Sequence, residues 1–235
     1  SVNGQVLHNH HHDNLMTSGR LALNDSGAHN DMLYAGDITR TFPVSGKFTT
    51  QQKEIYQVVL EMEKAGITLS GPGVYYRDVH VATNKIMLEK FVALGILKGN
   101  VDDMLEQGVN GMFMPHGLGH MIGLDVHDLE GLGENHVGYD ATVERSKQCG
   151  TAYLRMAKAL EPGFVVTVEP GIYFIPELID LWRSEGRHSD FICYDKLDPY
   201  RNFTGIRIED NVLVTKEGPV VLGMPIPKKR TDIER

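Results

Sequence analysis

The amino-acid sequence predicts an α+β fold with mostly antiparallel strands. Strand-like segments come first, segments with helical periodicity follow, and strand-like segments return near the C-terminal end, an order that is typical of α+β domains. The chain has 235 residues, of which 41% are hydrophobic and 23% charged. Such a chain can bury a sizeable core, and its composition is that of a globular protein rather than a disordered one.

The first predicted element is a β-hairpin. Residues 19–27 and 33–42 form two strand-like segments, and the polar residues His29, Asn30 and Asp31 lie between them. The second segment is rich in Thr, Tyr and Phe, which favour a pleated surface. A polar connection of several residues between two such segments is typical of a hairpin loop.

A helix is predicted to follow the hairpin. Thr49 and Gln52 have the spacing of a capping box, in which each side chain bonds the other residue's backbone. Apolar residues then recur at helical spacing until Gly66, where we expect the helix to end.

Two further helices are predicted. The first covers 78–94, with Asp78 as N-cap and Leu94 on its buried side, and the second covers 143–160 until Pro162 and Gly163 stop it. Strands then return at 164–173 and at 205–215, the latter broken near Glu209, and a final strand pair joins Val214 to residues 220–222.

The charge balance excludes some classes of partner. The chain carries 23 basic and 31 acidic residues, a formal net charge of −8, which argues against binding to nucleic acid or to an anionic membrane surface. No apolar run approaches the roughly 20 residues of a spanning helix. Cys149 and Cys193 are too few for a disulfide framework, so we expect a reducing, cytoplasmic compartment.

Histidines are concentrated in two places. Four of the 11 lie in residues 8–12, where an interrupted run predicts a loop, with His8 as the member expected to face a pocket. Four more lie in residues 116–136. There Gly117 and Gly119 disfavour a helix between His116 and His120, so the segment is predicted to be a loop or strand edge that approaches a ligand. Histidines packed in a glycine-rich turn are the alternative.

Four carboxylates stand at the predicted strands. Glu169 ends an apolar run, Glu209 shares a strand face with Arg207, and Asp25 and Asp37 lie on the arms of the hairpin. Each alone is an ordinary turn or surface acid, but buried together they require cations. Four carboxylates with one imidazole suit two hard divalent metals. Such a site predicts metal-assisted hydrolysis. The residues alone do not decide whether the bond that is hydrolysed is an amide or a phosphoester.

Five ordered motifs resemble the pita-bread metallopeptidases, which include prolidase, aminopeptidase P and methionine aminopeptidase. They are Asp37-Ile-Thr-Arg-Thr-Phe-Pro, Pro115-His-Gly-Leu-Gly-His, Leu124-Asp-Val-His-Asp, Val168-Glu-Pro-Gly-Ile-Tyr and Gly205-Ile-Arg-Ile-Glu-Asp. The resemblance covers essentially the whole chain and is greatest to the proline-directed branch, prolidase and aminopeptidase P. It implies a pita-bread (creatinase/aminopeptidase) fold, with a curved, mostly antiparallel sheet flanked by helices.

The resemblance also implies a ligand set for two divalent metals, Mn²⁺ first, with Co²⁺ or Zn²⁺ as alternatives. Asp25 would chelate one ion, His120 and Glu169 would serve the other, and Asp37 and Glu209 would bridge both. The interval of 12 between Asp25 and Asp37 is one residue longer than in prolidases, so the extra residue is expected in the hairpin loop, since a slip within a strand would turn one carboxylate away.

Roles in catalysis follow from the same resemblance. Glu169, His127 and His116 are the implied catalytic residues: Glu169 would move a proton from a metal-bridging hydroxide to the leaving nitrogen, and His127 would stabilise the tetrahedral intermediate. His116 and His8 would line the pocket for proline. Arg155 and Arg207 would meet the substrate's carboxylate or order the ligands.

The implied function is hydrolysis of the bond between an N-terminal residue and a following proline in small peptides, as an Xaa-Pro aminopeptidase or dipeptidase. A catalytically silent binding module of the same fold is the alternative, and creatinase-like hydrolysis without metals is a further one. Residues 1–235 would form a C-terminal catalytic domain without the opening helices and N-terminal domain that the family carries. A homodimer is compatible with the resemblance.

Overall fold

The computed structural model describes residues 1–8, 11 and 13–234, so His10 and His12 of the predicted histidine-rich loop lie outside the described residues. Helices occupy the middle of the chain, with one more between the later strands and a short one near the C-terminus. They are α1 (Thr50–Leu69), α2 (Tyr76–Ala93), α3 (Val101–Gln107), α4 (Glu134–Val137), α5 (Pro176–Ser184) and α6 (Arg230–Ile233). No helix among the described residues is long and apolar enough to cross a membrane.

All strand pairs within the described sheets are antiparallel, as predicted. The strands are β1 (Leu21–Ser26), β2 (Ile38–Pro43), β3 (Val165–Val168), β4 (Gly171–Phe174), β5 (Thr204–Arg207), β6 (Asp210–Thr215) and β7 (Gly218–Val221). They pair as β1–β2, β3–β6–β7 and β4–β5. Helix α1 packs on α2 and also contacts β3, β4 and β5, so the apolar core lies between the helices and the strands.

The predicted hairpin is present, with shorter strands and a longer connection. Strands β1 and β2 pair with Asp25 opposite Thr39, and residues 27–37 connect them. Of the residues between Asp25 and Asp37, only Ser26 therefore belongs to a strand, and all the others lie in the connection.

The capping box at the start of α1 is also present. The Thr49 side chain accepts from the backbone N–H of Gln52, and the Gln52 side chain accepts from the backbone N–H of Thr49. The helix continues past Gly66 to Leu69, because Gly66 is buried against Val168 and Thr83 and serves close packing rather than termination.

Helix α2 begins earlier than predicted, and two details of the prediction are wrong. Tyr75 rather than Asp78 is the N-cap. Asp78 lies in the first turn, where a carboxylate still interacts favourably with the helix dipole, and it pairs with Arg77. Leu94 is 38% exposed instead of buried, because the helix ends at Ala93, before Leu94.

The helix predicted at 143–160 is wrong, since the segment is irregular throughout. Gly150 has a φ of 84°, which a right-handed helix does not accommodate. The backbone carbonyls are satisfied by tertiary contacts instead: Arg145 donates to the carbonyls of Ala152 and Leu154, and the Tyr139 hydroxyl also donates to Leu154. Val143, Leu154, Met156 and Leu160 are nevertheless buried, so the irregular segment still contributes to the core.

Both long strand segments break where a predicted metal ligand stands. Residues 164–173 divide into β3 and β4 at Glu169 and Pro170, and Pro170 lacks the N–H that a continuous ladder needs. The 205–215 segment likewise divides into β5 and β6, just before and after Glu209. Each carboxylate therefore lies where the chain passes from one sheet to another.

Candidate metal centre

A pocket of about 560 Å³ collects the side chains that the motifs single out. It lies between the hairpin, the 115–120 loop and the ends of β3 and β5. Its lining residues are Leu7, His8, Asp25, Asp37, Pro115, His116, Gly117, Gly119, His120, His127, Glu134, Tyr153, Arg155, Glu169 and Arg207.

At the base of this pocket three side chains could share one metal ion. Asp37, His120 and Glu209 each offer a ligand atom, and these atoms all lie within 4.8 Å of one another. His120 is held against β3, where its backbone carbonyl accepts from Thr167 and its backbone N–H donates to the Thr167 hydroxyl. Its Nδ1 lies 2.9 Å from the carbonyl of Met121, which leaves Nε2 facing the carboxylates as a ligand.

The other two predicted ligands lie beside these three. Oε1 of Glu169 is 3.5 Å from Nε2 of His120, and Oδ2 of Asp37 is 3.6 Å from the same nitrogen. Asp25 is hydrogen bonded to Arg207 and interacts with Asp37. Four of the five predicted ligands therefore line the pocket, and the fifth, Glu209, lies next to Asp37 and His120.

The carboxylates disturb one another's ionisation. Burial raises the pKa of Glu209 well above its ordinary value, and the neighbouring charges of Glu169 and Asp37 add to this. Burial likewise raises the pKa of Glu169 and of Asp25. For His120, burial disfavours the imidazolium, but the hydrogen bond with Asp37 and the charge of Glu169 raise its pKa. This crowding of acids needs cations to be stable in the ionised form.

The residues fit divalent metal ions. Among the described residues, Oε1 of Glu209 is buried and has no hydrogen-bond partner, although buried polar atoms are almost always satisfied. Four carboxylates and one imidazole, with no thiolate beside them, form the hard donor set that divalent cations such as Mn²⁺, Co²⁺ or Zn²⁺ accept.

Two threonines that the sequence analysis missed hold the ligands. The hydroxyl of Thr39 donates to Oε2 of Glu209 at 2.6 Å, and that of Thr167 lies 3.4 Å from Oε1 of Glu169. Both could have been found from the sequence, because side chains two residues apart in a strand lie on the same face. Thr39 is two residues after Asp37, and Thr167 is two residues before Glu169.

Arg207 faces the ligands more than the open pocket. Its side chain is only 6% exposed, and it donates to Asp25 and to the Tyr173 hydroxyl. That hydroxyl also lies 3.0 Å from Nε2 of His116, whose Nδ1 lies 2.7 Å from the carbonyl of Gly117. Burial, followed by the charge of Arg207, lowers the pKa of His116 to about 3, so this imidazole is neutral.

His127 and His8 complete the histidines of the pocket. The His127 ring packs edge-on against the ring of His120 at 4.4 Å between centroids. Burial and the charge of His120 lower the pKa of His127 to about 4. A neutral imidazole there can donate or accept one hydrogen bond.

Arg155 belongs to an ion network that the sequence analysis also missed. Its Nη1 pairs with Oε2 of Glu130 and lies 3.3 Å from Oε1 of Glu134. Glu134 in turn pairs with Arg145 at 2.7 Å. No simple spacing rule connects these residues, because Glu130 and Glu134 are separated along the chain from Arg145 and Arg155, which lie in the irregular segment 143–160.

Comparison with known sequences identifies close relatives. The model of metallopeptidase family M24 matches residues 1–216. The Xaa-Pro dipeptidase of Rattus norvegicus is 41% identical over 99% of this chain, and that of Homo sapiens is 40% identical over the same share. A probable Xaa-Pro aminopeptidase of Verticillium alfalfae is 41% identical over 95%. The chain spans about half the length of these relatives, 46% in each case.

Solved structures give the same result. An alanine variant of Escherichia coli aminopeptidase P has a TM-score of 0.78 and 37% identity, covering 99% of this chain and 44% of that one. Aminopeptidase PepP of Pseudomonas aeruginosa has a TM-score of 0.75 and 35% identity, covering 99% and 45%. This likeness confirms the predicted α+β pita-bread fold.

Proposed function

The chain belongs to metallopeptidase family M24, and we propose that residues 1–235 form a catalytic domain that hydrolyses the bond between an N-terminal residue and a following proline in small peptides. The observation that carries the proposal is the convergence of five side chains from four separate parts of the sequence, four of which line one pocket while the fifth, Glu209, lies beside them. These are Asp25, Asp37, His120, Glu169 and Glu209. The relatives named Xaa-Pro dipeptidase and Xaa-Pro aminopeptidase supply the reaction class.

We assign the five side chains to two divalent cations, with Mn²⁺ as the first candidate. Asp37 and Glu209 would bridge the ions, Asp25 would hold one, and His120 and Glu169 would hold the other. When bound, such a metal pair supplies a Lewis acid for the scissile carbonyl and lowers the pKa of a coordinated water.

Glu169 is the proposed general base and acid. Its carboxylate lies between the imidazole of His120 and the guanidinium of Arg207, whose Nε is 3.8 Å from Oε2 of Glu169. From there it can accept a proton from the attacking water and deliver it to the leaving proline nitrogen. Arg207 and the Thr167 hydroxyl keep it oriented.

The histidines are proposed to position the substrate. His127 lies against the His120 ring, where a donated hydrogen bond from a neutral imidazole would stabilise charge that develops on the scissile oxygen. The ring of His116 is fixed by Tyr173 and Gly117 and, together with His8, which also lines the pocket, would contact the proline ring. The free cysteines Cys149 and Cys193 are consistent with a cytoplasmic location, which we also propose.

The test is peptide cleavage by the Mn²⁺-loaded protein. We expect Ala-Pro-Ala to be cleaved at its first bond and Ala-Ala-Ala to be left intact. Glu169→Gln should reduce the rate at least 100-fold, the size of effect that general acid–base catalysis supports. Glu161→Gln is the matched control, because Glu161 is exposed and lies outside the pocket. Full activity of Glu169→Gln, or equal cleavage of both peptides, would contradict the proposal.

A further inference from the structure

The proposed ligand Glu209 lies between two strands rather than within one. Strand β5 ends at Arg207 and strand β6 begins at Asp210. The N–H of Glu209 donates to the carbonyl of Thr39 on β2, at 3.1 Å. Its carbonyl accepts from Nη1 of Arg40, the next residue of the same strand, at 2.6 Å. Two adjacent residues of β2 therefore hold the backbone of this ligand from both sides.

The guanidinium of Arg40 uses every donor that it has. A guanidinium carries five N–H donors in one plane, and Arg40, which is 9% exposed, has five acceptors within reach. They are the carbonyls of Thr39 and Glu209 on Nη1 at 2.9 and 2.6 Å, Oδ1 of Asp210 and the carbonyl of Ile226 on Nη2 at 2.7 and 3.2 Å, and the carbonyl of Pro227 on Nε at 3.2 Å. Lysine has three donors on a single nitrogen and cannot replace this planar set.

Arg40 lies behind the metal site and not in the pocket. Successive side chains of a strand point to opposite faces, so Arg40 is on the face of β2 opposite to Thr39, whose hydroxyl bonds the Glu209 carboxylate. Arg40 does not line the pocket. Any effect of Arg40 on metal binding must therefore pass through the residues that it holds.

The C-terminal segment 226–228 closes this arrangement from the outside. Two of its carbonyls accept from Arg40, and Nζ of Lys228 lies 2.5 Å from Oδ2 of Asp210. Asp210 is thus bonded on one oxygen by Arg40 and on the other by Lys228, and it is 4% exposed. The hydroxyl of Tyr56 on α1 donates to the carbonyl of Lys228 at 2.8 Å. The segment therefore fixes the residue that directly follows the ligand.

We propose that Arg40 is a positioning residue for the metal centre, which sets the place of Glu209 relative to Asp37 and is itself anchored by the segment 226–228. Asp37 directly precedes β2, so the bonds from β2 to Glu209 join the two carboxylates that are assigned to bridge the ions. A metal site needs its ligands held to within about 0.5 Å. This inference rests on the proposed function, since it concerns the metal site assigned there, and adds a residue outside the pocket.

Arg40→Lys separates positioning from ion pairing. The lysine keeps a positive charge beside Asp210 but lacks the donors that hold the carbonyls of Thr39 and Glu209 together. We expect the variant to fold and to bind Mn²⁺ at least tenfold more weakly than the wild type, the usual cost of removing a group that orients a ligand. Calorimetric titration of the metal-free protein measures the affinity, and circular dichroism shows that the protein titrated is folded.

The control is Arg20→Lys. Arg20 lies directly before β1 and donates to the carbonyl of Val2 at 3.2 Å and to Oδ1 of Asn3 at 2.6 Å. It therefore joins two parts of the chain as Arg40 does, but neither partner is a proposed ligand. A purely structural role would lower the temperature of unfolding and leave the Mn²⁺ affinity of the folded molecules unchanged, which is the result expected for Arg20→Lys.

A double variant shows whether Arg40 acts through Glu209. Thr39→Val removes the hydrogen bond to the Glu209 carboxylate, and Arg40→Lys removes the hydrogen bond to its backbone. Because both changes act on one ligand, the combined loss of Mn²⁺ affinity should be smaller than the product of the two single losses. Independent losses would show that Arg40 acts elsewhere.

Tyr56→Phe carries the test if Arg40→Lys folds poorly. It removes only the hydroxyl that holds the segment 226–228, and it should weaken Mn²⁺ binding in the same direction by a smaller factor. Wild-type Mn²⁺ affinity in folded Arg40→Lys, or in Tyr56→Phe where that variant replaces it, would overturn the inference, as would an equal loss in Arg20→Lys. Mn²⁺ binding by the wild type would still support the proposed function in these cases. A wild-type protein that binds no Mn²⁺ would overturn both.

Discussion

The hydroxyl of Thr39 donates a 2.6 Å hydrogen bond to Oε2 of Glu209, 170 positions away in the chain. Both side chains are buried, and the bond fixes the carboxylate whose other oxygen has no partner among the described residues. Groups that hydrogen bond to metal ligands act in this way, by orienting the ligand before the metal binds.

Replacing Thr39 by the isosteric valine should therefore weaken metal binding. We expect a loss of about tenfold or more in Mn²⁺ affinity, the usual cost of removing such a partner, measured by calorimetric titration. Thr41→Val is the control, since Thr41 is equally buried on β2 but bonds only the backbone of Arg207. If the two variants lost the same affinity, the orienting role of Thr39 would be wrong.

Gly27 and Gly36 approach each other closely in the loop between Asp25 and Asp37. A Cβ added to Gly27 would lie 1.9 Å from the carbonyl oxygen of Gly36, so Gly27→Ala must displace the loop that separates the two carboxylates. We predict lower stability and at least tenfold weaker Mn²⁺ binding. In Gly36→Ala the new Cβ would meet only Ala28, at an ordinary 3.7 Å. That variant should bind metal normally, and similar losses in both would contradict this reading.

Lys228 holds two buried carboxylates behind the site. Its Nζ lies 2.5 Å from Oε1 of Glu63 and 2.5 Å from Oδ2 of Asp210, and Glu63 is fully buried. Lys228→Met should lower the free energy of unfolding by about 3 kcal/mol, since it leaves uncompensated buried charge. The control is Lys229→Met, because Lys229 is exposed. It should change the free energy of unfolding by less than about 0.5 kcal/mol. Equal effects in a denaturant titration would refute the role of Lys228.

His80 should make the protein sensitive to acid. Burial lowers its pKa from the ordinary 6.5 to about 4, so between these values the unfolded chain binds a proton that the folded protein does not. The stability contributed by neutral His80 is therefore complete above pH 6.5 and is lost as the pH falls towards 4. The expected loss is at most about 3 kcal/mol.

His80→Gln tests this by comparing unfolding free energies near neutral pH and near pH 4. The other acid-sensitive groups titrate in both proteins, so the difference between the two pH dependences isolates His80. The variant should lose less stability than the wild type on acidification. Parallel curves would show that His80 does not titrate in this range.

Local patterns predicted those parts of the molecule whose conformation depends on neighbours in sequence. The capping box at Thr49 and Gln52 contains its own hydrogen bonds, and the predicted break near Glu209 follows from polar residues within an apolar segment. The break at Glu169 and Pro170 was not predicted, although Pro170 lacks the N–H that a continuous ladder needs. The candidate ligands could be named from the sequence because the resemblance rests on short motifs whose order along the chain is visible. The structure brings three of them, Asp37, His120 and Glu209, within 4.8 Å of one another.

The segment 143–160 could not be predicted in this way. A helix ending before Pro162 and Gly163 was predicted there, but the conformation is set by Gly150 and by tertiary hydrogen bonds from Arg145 and Tyr139. These contacts join residues whose proximity the sequence does not show. The pairing of Arg155 with Glu130 and Glu134 escaped prediction for the same reason.

Asp25, Asp37, His120, Glu169 and Glu209 are proposed to hold two divalent ions, and metal analysis of the purified, Mn²⁺-reconstituted protein measures this. We expect about two equivalents per chain in the wild type, falling by about one or more when Asp37 is replaced by alanine. No bound metal after reconstitution, or an unchanged metal content in that variant, would contradict it.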